Sequence, residues 1–180
     1  MFLTTTDRKL KRIELRLVAE LMKNSRKSDR ELAKILGISQ PTVTRIRNKL
    51  EREGVIREYT AIPDFSKLGY EILAIILALS KSLDKNQAEK ARKILLEDAK
   101  DKVFGFIMVE RGIGSGFDGV IVSLHRDYTS FQQLMTWLRQ LDFLEIEKTQ
   151  FFLVDLNETV RYRPLTLSAI ARHIEQQAEK

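Results

Sequence analysis

Apolar positions recur at helical spacing in three successive segments of the first 55 residues, and at strand spacing beyond them. Asp7 to Asn24 carries Leu10, Ile13, Leu17, Val18 and Leu21 on one side, which predicts a first amphipathic helix. Ser28 and Glu31 form a capping-box pair, so a second helix is expected from about Asp29, with Leu32, Ile35 and Leu36 as its stripe and Ala33 small enough for a close crossing. Gly37 permits a sharp exit. Ser39 is a new N-cap, followed by Gln40 and Pro41 in the first turn of a third helix running to about Glu53. Val43, Ile46 and Leu50 mark its buried side. The pair of helices spanning Glu31 to Leu50 therefore reads as a helix-turn-helix. After Gly54, residues 55–62 (VIREYTAI) alternate like a strand and predict a short wing. Pro63, Asp64 and Gly69 read as a linker, which ends the first domain near residue 65.

The remainder changes rhythm. Strand patterns at 71–80, 103–110, 117–125 and 147–156 alternate with helix patterns at 86–100 and 129–141, giving the order βαββαβ. That order predicts a ferredoxin-like sheet with both helices on one face, hence an α+β chain with a winged helix-turn-helix domain at 1–65 and a second domain at 66–180. ILAIILAL and FGFIMV are apolar at odd and even positions alike, so both sheet faces seek burial. A second copy of the chain meeting sheet to sheet would satisfy them, which predicts a homodimer. Residues 164–177 add an amphipathic C-terminal helix with Leu167, Ile170, Ala171 and Ile174 on one side, expected to cap the sheet rather than to bind another subunit.

Candidate chemistry lies on the outer side of the third helix. Ser39, Gln40, Pro41, Thr42, Thr44, Arg45, Arg47, Asn48, Lys49 and Arg52 present hydrogen-bonding and basic groups with almost no acid among them. Such a face suits double-stranded DNA, because a helix fits the major groove, arginine pairs with guanine edges or phosphates, and glutamine and asparagine pair with adenine. Any amphipathic hairpin has a polar outer face, but the capped, glycine-turned spacing favours DNA. Arg45 and Arg47 flank Ile46, and the pattern leaves open which of them reaches the groove. Charge supports the assignment: residues 1–60 hold 15 Lys and Arg against 8 Asp and Glu, whereas the other 120 hold 16 against 17. The basic excess sits with the helical hairpin, as expected of a phosphate-binding module.

Composition removes other classes. The chain has no cysteine, which excludes disulfides and cysteine-based metal sites. Two histidines, His125 and His173, stand without an Asp, Glu or Cys pattern, so no metal or cofactor is expected, and both read as surface or packing residues. Gly112, Gly114 and Gly116 superficially suggest a nucleotide-binding turn, but no GK[ST] follows and the segment joins two strands. Trp137 shares helical spacing with Leu134, Leu138 and Leu141 and reads as core. No apolar run reaches the roughly 18 residues of a membrane span. The N-terminal MFLTTTDRKLKR lacks a signal-peptide core, and a cytoplasmic location is expected.

The hairpin SDRELAKILGISQPTVTRIRNKLEREGVI, the linker IPDFSKLGY and a βαββαβ segment containing GFDGVIV together resemble the Lrp/AsnC family of bacterial and archaeal transcription regulators over residues 8–156. The resemblance implies a winged helix-turn-helix domain joined to a ligand-sensing, dimerising domain, with dimers assembling further, to a tetramer or octamer. It also implies a small-molecule effector, commonly an amino acid, bound near subunit interfaces. The loop ERGIGSGFDG is richer in glycine than the family's Gly-x-Tyr-Asp turn, and Phe117 and Asp118 match its last two positions. Gly116, Phe117 and Asp118 are thereby effector-binding candidates, with a turn role for Asp118 favoured.

Two function classes follow. One is a non-enzymatic, sequence-specific regulator that places two recognition helices in successive major grooves. The other is an enzyme on the same two-domain plan, similar to the siroheme decarboxylases, in which His125 with Arg126 or Arg111 would handle a tetrapyrrole carboxylate. No concentrated cluster of His, Arg and Tyr supports the second.

Overall fold

Three helices form where the periodicity places them, in a computed structural model that describes residues 9–80, 84–95, 105–145, 148–160, 162 and 164–179. Helix α1 (Arg12–Lys23) starts as the Lys11 N–H donates to Glu14 Oε2 at 2.8 Å. Helix α2 (Asp29–Leu36) has the predicted capping box: Glu31 N–H donates to Ser28 Oγ at 3.3 Å, and Ser28 N–H donates to Glu31 Oε2 at 2.7 Å. It ends on Gly37 at φ +69°, a left-handed turn that a side chain would strain. Helix α3 (Gln40–Arg52) follows at once, with Ser39 as N-cap. Leu17, Leu21, Leu32, Leu36, Val43, Ile46 and Leu50 close a common core.

The chain divides into two compact units, the first made of the chain up to Ile62 together with the segment from Tyr162, the second running from Pro63 to Arg161. The second unit contains β1 (Ile72–Ala78), α4 (Lys85–Lys93), β2 (Phe106–Gly114), β3 (Phe117–His125), α5 (Tyr128–Arg139) and β4 (Gln150–Asp155). Its sheet has the order β2-β3-β1-β4 with every pair antiparallel. Ala74, Ile76, Ala78 and Ile121 on one face pack with Phe131, Leu134, Trp137 and Leu138 of α5 and with Ala91 of α4. This is the ferredoxin-like layer expected from the element order.

Three expectations need correction. Residues 55–62 form no strand: they run as an arm from α3, with Val55, Tyr59 and Ile62 exposed, because no neighbouring strand among the described residues offers them a ladder. Strand β2 continues through Glu110–Gly114, so the supposed glycine loop shrinks to the two-residue turn Ser115–Gly116 between Gly114 and its partner Phe117. Both turn residues have positive φ, +52° and +81°, which matches the twist of a two-residue hairpin. The C-terminal helix α6 (Ser168–Glu179) does not cap the sheet. It belongs to the first unit, packs along α1 and is tied to it by a Lys23–Glu175 ion pair. Ala171 and Ala178 are buried outside the three-helix core, as is Ala19 of α1, which fits two small-residue faces in close approach. His125, read as a surface or packing residue, proves to be a packing residue, 1% exposed with its ring against Phe131. The end of the expected 86–100 helix (96–100) and the start of the expected strand at 103–110 (103–104) lie outside the described residues.

Candidate nucleic-acid interface

Helix α3 owes its placement to the contrast between its two sides. Val43, Ile46 and Leu50 are at most 8% exposed, and burying three such side chains contributes about 1.5–3 kcal/mol each toward fixing the helix. Gln40, Pro41, Arg45, Asn48 and Arg52 are exposed, and the last four recur at spacings of four, three and four residues along one stripe. The stripe borders an open groove that reaches across to Lys11 and Ile13 of the first unit.

The remaining predicted residues are engaged within the protein, although Thr42, Thr44 and Lys49 still line the groove. Ser39 Oγ accepts from Thr42 N–H at 3.4 Å and lies 2.8 Å from Thr42 Oγ1, so both serve the N-cap. Thr44 Oγ1 donates to Asp29 Oδ2 at 2.5 Å. Lys49 Nζ is 2.9 Å from Glu14 Oε1, a carboxylate whose side chain is only 3% exposed. Arg47 is the most engaged. Its Nη2 is 2.7 Å from Asp29 Oδ1 and donates to the Lys27 carbonyl at 3.2 Å, while its guanidinium carbon lies 5.8 Å from the Tyr59 ring centroid. Tyr59 in turn donates to Glu51 Oε1 at 2.6 Å. Burial, then the hydrogen bond to Glu51, raises the Tyr59 phenol above its ordinary range.

Asp29, Glu14 and Tyr59 were not among the residues expected at the site. Asp29 is legible only as a helix-start acid, and nothing in the pattern of 55–62 marks Tyr59 as a partner for α3. The two carboxylates nonetheless neutralise cations on the flanks of the helix and leave the outer stripe cationic and amide-bearing. Beneath this surface, Glu20 pairs with Lys23 and Lys27. Burial opposes its ionisation, but the hydrogen bonds from the two ammonium groups outweigh it and hold the carboxyl at about 2.

In the second unit, Gly116 is in the hairpin turn and half-buried Phe117 and Asp118 open β3. Asp118 Oδ1 accepts from Ser80 N–H at 2.7 Å, and Oδ2 lies 3.6 Å from Arg111 Nη2. The carboxylate thus fastens the end of β1 to β3. His125 Nε2 is 2.9 Å from Ser123 Oγ and its ring meets Phe131 edge-on at 5.5 Å, with burial lowering its basicity. Arg111 pairs opposite Gly119, six residues up β3 from His125, or about 20 Å along the strand. Arg126 stacks over Tyr70 at 5.6 Å. The structure does not assemble His125 and Arg111 into one polar site. Among the described residues, no group of three or more His, Cys, Asp or Glu could hold a metal, and no helix is long and apolar enough to cross a membrane.

A helix-turn-helix with an outward basic stripe, joined to a ferredoxin-like sheet, defines the two-domain class of helix-turn-helix proteins. Residues 10–57 match the winged helix-turn-helix DNA-binding family. The uncharacterized HTH-type transcriptional regulator PH0061 of Pyrococcus horikoshii is 47% identical over 74 residues, 41% of this chain and 49% of that protein. LrpC of Bacillus subtilis, an HTH-type transcriptional regulator, is 41% identical over 76 residues, 42% of this chain and 53% of LrpC. In these sequence matches the chain spans about half the length of the curated relatives. The crystal structure of PH0061 extends the likeness: TM-score 0.68 at 31% identity, covering 88% of this chain and 99% of that one. The chain belongs to the Lrp/AsnC family of transcriptional regulators. At the level of fold alone, it also matches the regulator NMB0573 of Neisseria meningitidis, solved as a complex with L-Met, at TM-score 0.65, 18% identity, and 90% and 99% coverage.

Proposed function

We propose that the protein is a sequence-specific DNA-binding transcriptional regulator that acts as a homodimer or higher oligomer and is modulated by a small effector such as an amino acid. The first unit binds DNA, and the second dimerises and senses. The outward stripe of Gln40, Arg45, Asn48 and Arg52 carries this reading, because it joins base-edge donors and acceptors with phosphate-pairing cations on a helix of major-groove width.

The sheet supports the paired state. On the face away from α5, Met108, Val122, Ile75 and Phe152 align in one row across all four strands, and Phe152 is 67% exposed. A second copy laid on this face would cover the row. The L-Met complex of the Neisseria regulator is the basis for an amino-acid effector.

Selection of bound fragments from random double-stranded DNA, with and without single amino acids, tests the reading. A pseudo-palindromic site with half-sites about 34 Å apart is expected. If about six phosphates are neutralised, log affinity falls against log salt with a slope near −5. Failure to enrich any sequence, with a flat salt response, would overturn it.

A further inference from the structure

We infer that the two arginines flanking Ile46 divide the work of recognition: Arg45 reads a base edge, whereas Arg47 is a positioning residue that fixes how α3 is presented and touches no base. The inference rests on the DNA-binding reading above and refines it. Both side chains are long, cationic and two residues apart, so composition and spacing treat them alike. Their surroundings differ. Arg45 is exposed on the stripe with Pro41, Asn48 and Arg52, and it borders the open groove. The Arg47 side chain is 17% exposed and held from three directions, by Asp29 at the start of α2, by the Lys27 carbonyl in the turn before it, and by the face of Tyr59 in the arm that leaves α3. Its Nε is buried without a hydrogen-bond partner among the described residues. Withdrawing this guanidinium to contact DNA would leave the Asp29 carboxylate, itself 19% exposed, without its charge partner, which is costly for a part-buried pair.

The tie has a mechanical meaning. Asp29 takes Thr44 Oγ1 on one oxygen and Arg47 on the other, so one carboxylate grips α3 at two points a turn apart. Rotation of α3 about its axis relative to α2 would break both bonds. A rigid roll angle keeps Arg45 and Asn48 aimed at the same base pairs, because a base-reading side chain must arrive with its donor fork in the plane of the base edge.

The test compares the full-length protein with Arg45→Ala, Arg47→Ala, Arg47→Lys and Asp29→Asn. It selects sites from random DNA and measures affinity for the selected site and for an unrelated duplex. Thermal unfolding reports whether each variant folds. Arg45→Ala is expected to erase preference at one or two adjacent positions of each half-site, about 5- to 150-fold per position, and to leave the others intact. Arg47→Ala and Asp29→Asn are expected to keep the same consensus while weakening specific binding several-fold and leaving affinity for unrelated DNA unchanged. Arg47→Lys should recover part of the loss, because it restores the charge pair without the fork. A purely structural role for Arg47 would lower both affinities together, and that outcome overturns the positioning assignment. Loss of a particular base preference in Arg47→Ala, or an unaltered consensus in Arg45→Ala, overturns the division of labour. If the unmodified protein selects no sequence, the DNA-binding reading itself fails.

Discussion

The recognition helix and the open face of the sheet are both incomplete surfaces, but they lack different things. On α3 every flanking cation has a protein partner, Lys49 with Glu14 and Arg47 with Asp29, while the outer stripe keeps its polar groups in water. The sheet face carries an apolar row from Met108 to Phe152, and polar side chains on that face lie only at its flanks, where Glu110 and Gln150 end the next row. Water tolerates the first surface indefinitely and disfavours the second at about 25 cal/mol per Å². The sheet should therefore be covered permanently and the stripe only on demand, which suits a constitutive dimer that associates with DNA reversibly.

The largest perturbation should come from charging the apolar row. Phe152→Asp leaves a strand edge already two-thirds exposed, so the subunit should keep its circular dichroism. A symmetric interface loses two phenyl groups at once, about 3–6 kcal/mol, and gains two carboxylates without partners. Sedimentation velocity at micromolar concentration should show monomer for the variant and dimer for the parent. A parent already monomeric would break the contrast between the two surfaces.

Next comes the core beneath the stripe. Leu50→Ala empties a fully buried position of the first unit and should destabilise it by about 2–5 kcal/mol in a denaturant titration. The second unit has its own core around Phe131 and Leu134, so dimerisation should survive while DNA binding is lost. Simultaneous loss of both would show that the units are not energetically separable.

Acid offers a milder separation. The Glu20 carboxyl sits at about 2 in the folded unit against an ordinary 4.5. Its stabilising contribution is complete above pH 4.5 and disappears as pH falls toward 2. Screening and partial exposure reduce that contribution to about 1–2 kcal/mol. Glu20→Gln should flatten the acid limb of the first unit's stability without altering the second unit's. An unchanged pH profile would mean that Lys23 and Lys27 do not hold the carboxylate in solution.

How far the sequence reveals these features depends on how local their causes are. Ser28, Glu31, Gly37 and Ser39 act on backbone groups within four residues, so the helix-turn-helix is legible from their spacing. The order of strands and helices likewise follows from turn and period. Interactions set by the angle between elements are not legible. Asp29 meets Arg47 rather than Arg45 because of how α2 crosses α3. Alternation at 55–62 predicts a strand only if another strand lies beside it, and none does among the described residues. The stripe of α6 shows that one side is buried without showing against what. Glu175 reaches Lys23 across 152 residues, a pairing that no periodicity encodes.

That last contact yields the smallest expected effect and the sharpest assignment of α6. Lys23 is raised above its ordinary range first by Glu175 and then by Glu20, so the ammonium is shared between the C-terminal helix and its own. An ion pair with both side chains about one-third exposed contributes about 0.5 kcal/mol at low salt. In a double-mutant cycle of Lys23→Met and Glu175→Gln, followed by thermal unfolding of the first unit, a coupling of that size should appear and should shrink as salt approaches the molar range. Zero coupling would mean that apolar packing, with Ala171 and Ala178 buried, holds α6 to α1 without help from the ion pair. Coupling that appears in the second unit's transition instead would return α6 to the sheet, as its amphipathic pattern suggests when read without the fold.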